Sequence, residues 1–301
     1  MVLVTGATGF VGRHLVPALV AAGQHVRCLM REGSDRSRLP EGQVECFAGD
    51  VASGEGLQDA CHGADAVIHL VGIIAERGNA TFDCVHVGGT RNVVEAAQAS
   101  GVGHLIYLSG LGSGPGAESD YHRTKWQAEE LCQGSGLGWT VVRSSIVVGH
   151  GDGFTPILRG LLRKGPFTPV AGSGQVKMQP IYVGDLVKCL LWCLEHEGAK
   201  GQTYEVGGPG QLSFEEMLDV VARLEGVRKP KLHIPMPAMR LIAAVQEEFL
   251  SQPDITRDQL RMMQVDNTCE PDVLKRVFGI DPVTYEEAVR EALGAEKWTA
   301  G

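Results

Sequence analysis

The sequence predicts an α/β protein built on a doubly wound parallel sheet, with a smaller, interleaved C-terminal α+β lobe. Short apolar runs alternate with helical patterns over residues 2–143, and such alternation produces right-handed βαβ units. The first apolar run leads directly into glycines spaced three residues apart, as a tight turn from strand to helix requires. Glycine is also abundant, at 40 of 301 residues, and the excess lies where the apolar runs end.

The overall composition excludes several classes of protein. With 44% hydrophobic and 21% charged residues, the chain has the composition of a soluble globular protein. Its net charge of -9 argues against a nucleic-acid partner, because phosphate binding needs a basic surface. No apolar run reaches the ~18 residues needed to cross a bilayer, and the strand at residue 2 leaves no room for a signal peptide. We therefore expect a cytoplasmic protein without an integral membrane segment.

The eight cysteines predict neither disulfides nor a metal site. None of them lies in a Cys-x-x-Cys pair, and none clusters with histidine at the spacing of zinc ligands. They lie mostly in apolar runs, so we expect buried free thiols in a reducing compartment.

The opening strand, turn and helix start predict a site for a dinucleotide. The apolar run at residues 2–5 is followed by Gly6, Gly9 and Gly12, and a helical pattern comes next. Gly6 lets the chain turn, Gly9 lets backbone approach a phosphate, and Gly12 lets the helix pack close to the strand. Backbone N–H groups and the positive helix end can then hold a pyrophosphate. The candidate cofactor-binding residues of this segment are Thr5, Gly6, Thr8, Gly9, Phe10, Val11 and Gly12.

Basic residues after the second strand indicate which dinucleotide binds. The run at residues 24–30 is typical of that strand, and Arg31 follows it directly. At this place a carboxylate bonds the ribose 2′-hydroxyl of NAD, whereas an arginine suits the 2′-phosphate of NADP. Arg36 and Arg38 lie in the same loop. NADP(H) is therefore the favoured cofactor, with NAD(H) as the alternative; a solvated basic loop is the interpretation that involves no ligand.

Two later strands add further candidate contacts with the cofactor. The runs at residues 44–48 and 64–70 predict the third and fourth strands. Asp50 and Val51 close the third strand, where a side chain that contacts the base is expected. Gly72 follows the fourth strand and is a second point at which backbone can approach the cofactor closely.

Tyr121 and Lys125 are the candidate catalytic pair. They open a helix after the fifth predicted strand, residues 104–108, and a glycine-rich loop. At a spacing of four, both side chains lie on one helix face. An ammonium close to a phenol lowers the pKa of the phenol from ~10, and a phenol so tuned can exchange a proton with a carbonyl or an alcohol. A helix in this position lies beside the nicotinamide half of the crevice.

Several segments resemble the extended and atypical short-chain dehydrogenase/reductase superfamily. They are Thr5-Gly6-x-x-Gly9-x-x-Gly12, Tyr121-x-x-x-Lys125, Ile181-Tyr-Val-Gly-Asp185 and Tyr204-Glu-Val-Gly-Gly-Pro209. Three more segments are similar to the bacterial and plastid branch related to the 39 kDa accessory subunit of respiratory complex I. They are Leu70-Val-Gly-Ile-Ile-Ala-Glu76, His86-Val-Gly-Gly-Thr90 and Gln179-Pro-Ile-Tyr-Val-Gly-Asp185.

The resemblance implies a division of the chain into two parts. A Rossmann domain of residues 1–145 and about 175–206 would bind NAD(P), and residues from about 146–174 and 207–301 would form a substrate lobe. Outside the opening turn, the implied cofactor contacts are Arg31 and Arg36 at the 2′-phosphate, Asp50 and Val51 at the adenine, and Leu70, Val71, Gly72, Ser109, Tyr121 and Lys125 along the rest of the cofactor.

The resemblance also implies catalytic roles. Tyr121 would be the acid and base, and Lys125 would hold the nicotinamide ribose. A serine or threonine polarises the substrate oxygen in the family pattern, but Leu111 occupies that position here, so Ser109 or Ser113 would take the role. Two further departures are His86, where asparagine is common, and Ser144, where proline is common.

These inferences predict an NADP(H)-dependent oxidoreductase that moves a hydride to or from a carbonyl or carbinol of a small molecule, with quinone- and lipid-like substrates among the options. Leu111 leaves open a second class, a structural or assembly protein that binds NADPH without turnover and is related to the complex I subunit. A nucleotide-sugar epimerase or dehydratase is the third class. Oligomeric state and peripheral contact with the inner face of a membrane or with a respiratory complex stay open.

One C-terminal segment, Pro237–Leu250, is apolar over much of its surface. We expect it to pack on the substrate lobe. The alternatives are a lining for a quinone- or lipid-like ligand and a contact with a membrane or a protein partner.

Overall fold

The computed structural model describes residues 1–250 and 253–296. The strands are β1 (Val2–Thr5), β2 (Val26–Met30), β3 (Val44–Ala48), β4 (Ala66–His69), β5 (His104–Gly110), β6 (Gly138–Ser144), β7 (Val147–Val148), β8 (Thr168–Ala171), β9 (Lys177–Met178), β10 (Ile181–Tyr182), β11 (Gln202–Val206), β12 (Leu212–Ser213) and β13 (Lys231–Ile234). The α-helices are α1 (Gly12–Ala21), α2 (Leu57–Cys61), α3 (Gly89–Ala99), α4 (Asp120–Gln133), α5 (Phe154–Arg163), α6 (Val183–Glu195), α7 (Phe214–Glu225), α8 (Met236–Phe249), α9 (Arg257–Met262), α10 (Val273–Phe278) and α11 (Tyr285–Glu296).

The described residues fall into two compact units. The first unit contains Met1–Arg143 and Val187–Glu205, and the second contains Ser144–Leu186 and the described residues from Val206 onward. Each unit has a hydrophobic core of its own. The assignment of one part to the cofactor and the other to the substrate stays a prediction.

The first unit contains a seven-stranded sheet in the order β3-β2-β1-β4-β5-β6-β11. The pairs β1–β2, β1–β4, β2–β3 and β4–β5 are parallel, and all four residues of β1 are buried, as expected for a central strand covered on both faces. The strand order reverses direction between β1 and β4, which is the switch point where doubly wound sheets bind ligands. The predicted fold class is confirmed.

Most predicted elements of this unit lie within a few residues of the observed ones; the third strand, residues 44–48, is β3 itself. One element that the sequence analysis did not predict lies at the end of residues 73–84. A single turn of π-helix, Asp83–Gly88, begins at the end of that segment and leads into α3. A π-helical turn arises from packing and not from a local sequence pattern, and such turns are frequent at functional sites.

The second unit is built from helices and short strand pairs. Its strands pair as β7–β10, β8–β13 and β9–β12, and its core joins α5, α7 and α11 through residues such as Leu158, Met217 and Val289. Helix α7 begins with a capping box, in which Ser213 and Glu216 each satisfy a backbone N–H of the other. This cap fixes where the helix starts, because the first N–H groups of a helix have no partner within it.

Helix α8 corrects the expectation for Pro237–Leu250. Leu241 and Phe249 are 67% and 79% exposed, and the buried residue of this helix is Ala243. The polar face of α8 makes the contacts instead: Glu247 pairs with Arg257. The expected packing of the apolar side chains is therefore wrong. Across the described ranges, no helix combines the length and the apolar character that crossing a membrane requires.

Candidate functional site

The turn between β1 and α1 has the form that a pyrophosphate needs. Gly6 has φ +77°, a left-handed conformation that favours glycine. A Cβ at Gly12 would lie 2.2 Å from the carbonyl oxygen of Gly6, so glycine alone lets α1 begin this close to β1. Gly9 is exposed, and a Cβ there would come no closer than 3.2 Å to the same oxygen. The turn is tightly packed inside and open at Gly9, which fits a phosphate bound by backbone N–H groups.

The side chains of the turn divide into buried and accessible ones. Thr5 is buried, and its hydroxyl lies 2.6 Å from Nδ1 of His69 in the adjacent strand. Thr8, Phe10 and Val11 are half-buried. Thr5 thus supports the turn from inside, while the other three lie on its accessible side.

The ends of β3 and β4 carry the other predicted contacts. Leu70 and Val71 lie against the turn, since a Cβ on Gly6 would come within 3.2 Å of the backbone of both. Gly72 is exposed beyond them. Val51 is buried against the start of α3, with its Cγ2 3.2 Å from the position of a Cβ on Gly89. Its side chain therefore belongs largely to the core.

Asp50 is held in a local turn after β3. Its Oδ1 accepts a hydrogen bond from the backbone N–H of Ala52 at 2.9 Å, and the side-chain amide of Asn92 donates to the carbonyl of Val51 at 2.8 Å. These bonds fix the backbone path at the edge where the adenine is expected.

The basic residues after β2 include one that the sequence reasoning missed. Arg31 and Arg36 are exposed. Arg13, in the first turn of α1, faces this loop: burial and the nearby Arg38 guanidinium lower the pKa of Arg13, and Asp35 opposes that effect. Two guanidinium groups held near each other favour an anion. The signal was available, because Arg13 directly follows the last glycine of the turn.

Tyr121 and Lys125 lie on one face of α4, as their spacing predicts. A Cβ on Gly110, at the end of β5, would lie 3.1 Å from the Tyr121 hydroxyl. A Cβ on Gly72 would lie 3.7 Å from Nζ of Lys125. Because these two glycines carry no side chain, both groups can lie close to the ends of two neighbouring strands.

The electrostatics of this pair differ from the expectation. Burial raises the pKa of Tyr121 to about 12, and burial lowers the pKa of Lys125 to about 7, with Glu129 opposing that shift. The Lys125 ammonium donates to the carbonyl oxygen of Leu108 at 2.7 Å and lies 4.2 Å above the Tyr107 ring. The expected lowering of the Tyr121 pKa by Lys125 is wrong for this arrangement, because the ammonium points to the strand and both groups are desolvated.

Ser109 is engaged elsewhere. Its hydroxyl donates to the buried carboxylate of Glu129 at 2.5 Å, and Arg143 binds both oxygens of that carboxylate. The one hydroxyl hydrogen of Ser109 is used there, so the side chain has no proton to offer to a substrate oxygen in this arrangement. Leu111 is buried, and Ser113 donates to the carbonyl of Gly110 at 2.8 Å. The sequence did not predict a role for Glu129, which lies on α4 and reaches Ser109 only when that helix packs on β5.

Comparisons with known proteins place these features in context. A model of the NAD dependent epimerase/dehydratase family matches residues 2–207. The chain is 30% identical over 274 residues to NADH dehydrogenase [ubiquinone] 1 alpha subcomplex subunit 9, mitochondrial, of Dictyostelium discoideum, covering 88% of this chain and 76% of that protein. It is 29% identical to a ceramide reductase of Caulobacter vibrioides, covering 83% and 78%. A solved structure of Thermus thermophilus UDP-glucose 4-epimerase in complex with NAD shares the fold, with a TM-score of 0.74, 21% identity and 98% of each chain covered.

Proposed function

Because the chain belongs to the NAD-dependent epimerase/dehydratase family, we propose that it is an NADP(H)-dependent oxidoreductase that transfers hydride to or from a carbonyl or carbinol group. The observation that carries this proposal is the placement of Tyr121 and Lys125 in front of Gly110 and Gly72 at the ends of β5 and β4. The bound nicotinamide would supply or accept the hydride. The turn between β1 and α1, which is exposed at Gly9, fits the pyrophosphate of the same cofactor.

Tyr121 is the proton donor in the reduction direction. With its pKa raised to about 12, the phenol is protonated at neutral pH and can give its proton to the substrate oxygen as the carbon takes up hydride. Lys125, whose pKa is lowered to about 7, lies close to Gly72 in the loop after β4. We assign Ser109 to support of α4 through Glu129 and not to the substrate.

An apolar substrate is the proposed class. The relatives include a ceramide reductase and 3-beta-hydroxysteroid dehydrogenase/isomerase proteins of Mycobacterium tuberculosis, and their names refer to lipid substrates. A screen with NADPH should therefore include a long-chain ketone, a short-chain ubiquinone and UDP-glucose. Turnover of UDP-glucose alone would contradict this proposal and favour an epimerase.

A second candidate function is NADPH binding without turnover. It is favoured by the buried Leu111 at the usual hydroxyl position and by the use of the Ser109 proton at Glu129. Tight NADPH binding together with no turnover of the three probes would support this function over catalysis.

NADPH is expected to bind more tightly than NADH. The 2′-phosphate would meet Arg31 and the Arg13 guanidinium, and a hydrogen bond to a charged group is worth about 1.5–3 kcal/mol, or roughly tenfold or more in affinity. Calorimetry with both cofactors measures the preference. Arg31→Asp and Arg13→Ala should reduce it, and Arg228→Asp, an exposed arginine of the second unit, should not. Tighter binding of NADH by the unmodified protein would contradict the assignment.

A further inference from the structure

We propose that His86 is a positioning residue that joins the loop after β4 to helix α4 and so holds Tyr121 and Lys125 in front of the cofactor. The effect of His86 on catalysis rests on the function proposed above. The hydrogen bonds of its ring can be measured without turnover. The side chain is fully buried in the π-helical turn, and it touches both elements.

Two hydrogen bonds define the connection. Nδ1 of His86 lies 2.9 Å from the Thr124 hydroxyl on α4. Nε2 lies 3.1 Å from both the backbone nitrogen and the carbonyl oxygen of Ile73, in the loop after β4. Ile73 follows Gly72, and Thr124 precedes Lys125, so the imidazole is bonded to the immediate neighbour of each residue that faces the cofactor.

The partners assign the tautomer. The hydroxyl of Thr124 has one hydrogen, which it can direct to the carbonyl oxygens of Asp120 at 2.8 Å and Tyr121 at 3.1 Å, one turn earlier in α4. With the proton on Nδ1, the ring donates to Thr124 and accepts from the N–H of Ile73, while Thr124 donates to a helix carbonyl, which makes three hydrogen bonds. With the proton on Nε2, the ring donates to the carbonyl of Ile73 and accepts from Thr124, which makes only two, so the first state is favoured. Nε2 is then the lone-pair acceptor for the N–H of Ile73. The ring is neutral, and each nitrogen has one defined role.

The ring also packs against the catalytic candidate itself. The His86 and Tyr121 rings meet edge to face with centroids 5.5 Å apart, and Phe82 stacks on His86 at 5.4 Å. A Cβ on Gly72 would lie 3.6 Å from Nε2 of His86. The imidazole therefore occupies the space behind Tyr121, Lys125 and Gly72, where a smaller or apolar side chain would leave α4 and the loop unconnected.

The tautomer is tested on the cofactor-free protein by ¹⁵N–¹H correlation spectra of the histidine rings, with His86 assigned by comparison with His86→Asn. We expect a neutral ring protonated at Nδ1 throughout pH 8 to 5. A ring that becomes charged near pH 6.5 would overturn the proposal, and a proton on Nε2 would overturn the tautomer assignment. This measurement does not depend on enzymatic activity.

The functional consequence is tested with His86→Leu, His86→Asn and the matched control His104→Leu. His104 is also buried and also bonds a threonine hydroxyl, that of Thr140, at 2.8 Å, but it makes no contact with Tyr121 or Lys125. Both leucine variants should lower the melting temperature. Only His86→Leu should lower kcat, by about 10–100-fold, since a displacement of ~1 Å in a catalytic group has effects of this size.

Rescue distinguishes positioning from simple loss of stability. Asparagine carries one donor and one acceptor, so His86→Asn should recover most of the kcat that His86→Leu loses. Equal kcat values for His86→Leu and His104→Leu would refute the proposal. If the unmodified protein binds NADPH but turns over none of the probes, the oxidoreductase assignment fails and the affinity for NADPH becomes the readout. His86→Leu should then weaken it more than His104→Leu does, and equal affinities would refute the positioning role.

Discussion

Replacement of Tyr121 by phenylalanine is expected to lower kcat for NADPH-dependent reduction by about 10²–10⁴-fold, the usual contribution of a positioned acid. The substitution removes only the hydroxyl group, which lies close to the backbone of Gly110. The ring can keep its edge-to-face contacts with His86 and Phe82. The affinity for NADPH should therefore change by less than about threefold.

Steady-state kinetics and calorimetry on the same preparations measure these two quantities. Tyr204→Phe is the matched control, because it removes a hydroxyl from β11 of the same unit without touching the candidate site. Rates that are equal for the unmodified protein and Tyr121→Phe would remove Tyr121 from the mechanism. A large loss in NADPH affinity would show that Tyr121 acts through binding.

The free energy of unfolding is expected to fall steeply between pH 6.5 and 4.5, because three buried histidines must stay neutral in the folded protein. Burial lowers the pKa of His69 and His86 to about 3 and that of His104 to about 4. A histidine in the unfolded chain titrates near ~6.5. In this window the unfolded chain binds up to three more protons than the folded chain, so the stability contributed by the neutral histidines falls as the pH drops below ~6.5, by about 4 kcal/mol per pH unit at the steepest point.

Urea unfolding at several pH values measures this slope. His104→Gln should flatten it by about 1.4 kcal/mol per pH unit, which corresponds to one proton. His62→Gln, at an exposed histidine, should leave it unchanged. A stability that stays constant from pH 6.5 to 4.5 would show that the histidines are charged in the fold.

Several parts of the candidate site could be predicted because they depend on local geometry. The strand that leads into Gly6, Gly9 and Gly12 has a pattern that only a tight strand-to-helix turn satisfies, and the structure has that turn. The four-residue spacing of Tyr121 and Lys125 determines that both lie on one face of a helix. The roles assigned to these residues remain predictions.

Other parts depend on residues that are distant in the sequence. Lys125 was expected to act on the Tyr121 phenol, but its ammonium donates to the carbonyl of Leu108 on β5. Ser109 was expected to reach the substrate, but its hydroxyl donates a hydrogen bond to Glu129, from the next helix. No local sequence pattern predicts either hydrogen bond, because both form only when α4 packs on β5.

Helix α8 shows the same limit on a larger scale. Its apolar pattern indicates an amphipathic helix, and the helix is present. The contacts of its polar side are made by Glu247, which pairs with Arg257, and by the amide of Gln246, which accepts from the N–H of Asp254. A periodic sequence pattern predicts that a helix has an apolar face, but it does not predict which residues pack against that face.

The sequence by itself determined the alternation of strands and helices, the turn that can receive a pyrophosphate and the helix that carries Tyr121 and Lys125. These features follow from backbone conformation and side-chain periodicity over a few residues. Only the tertiary structure decided the surroundings on which protonation depends: the burial of Tyr121, the hydrogen bond from Ser109 to Glu129 and the contacts of the His86 ring. Protonation depends on desolvation and on hydrogen-bond partners, and the fold brings both together from separate segments of the chain.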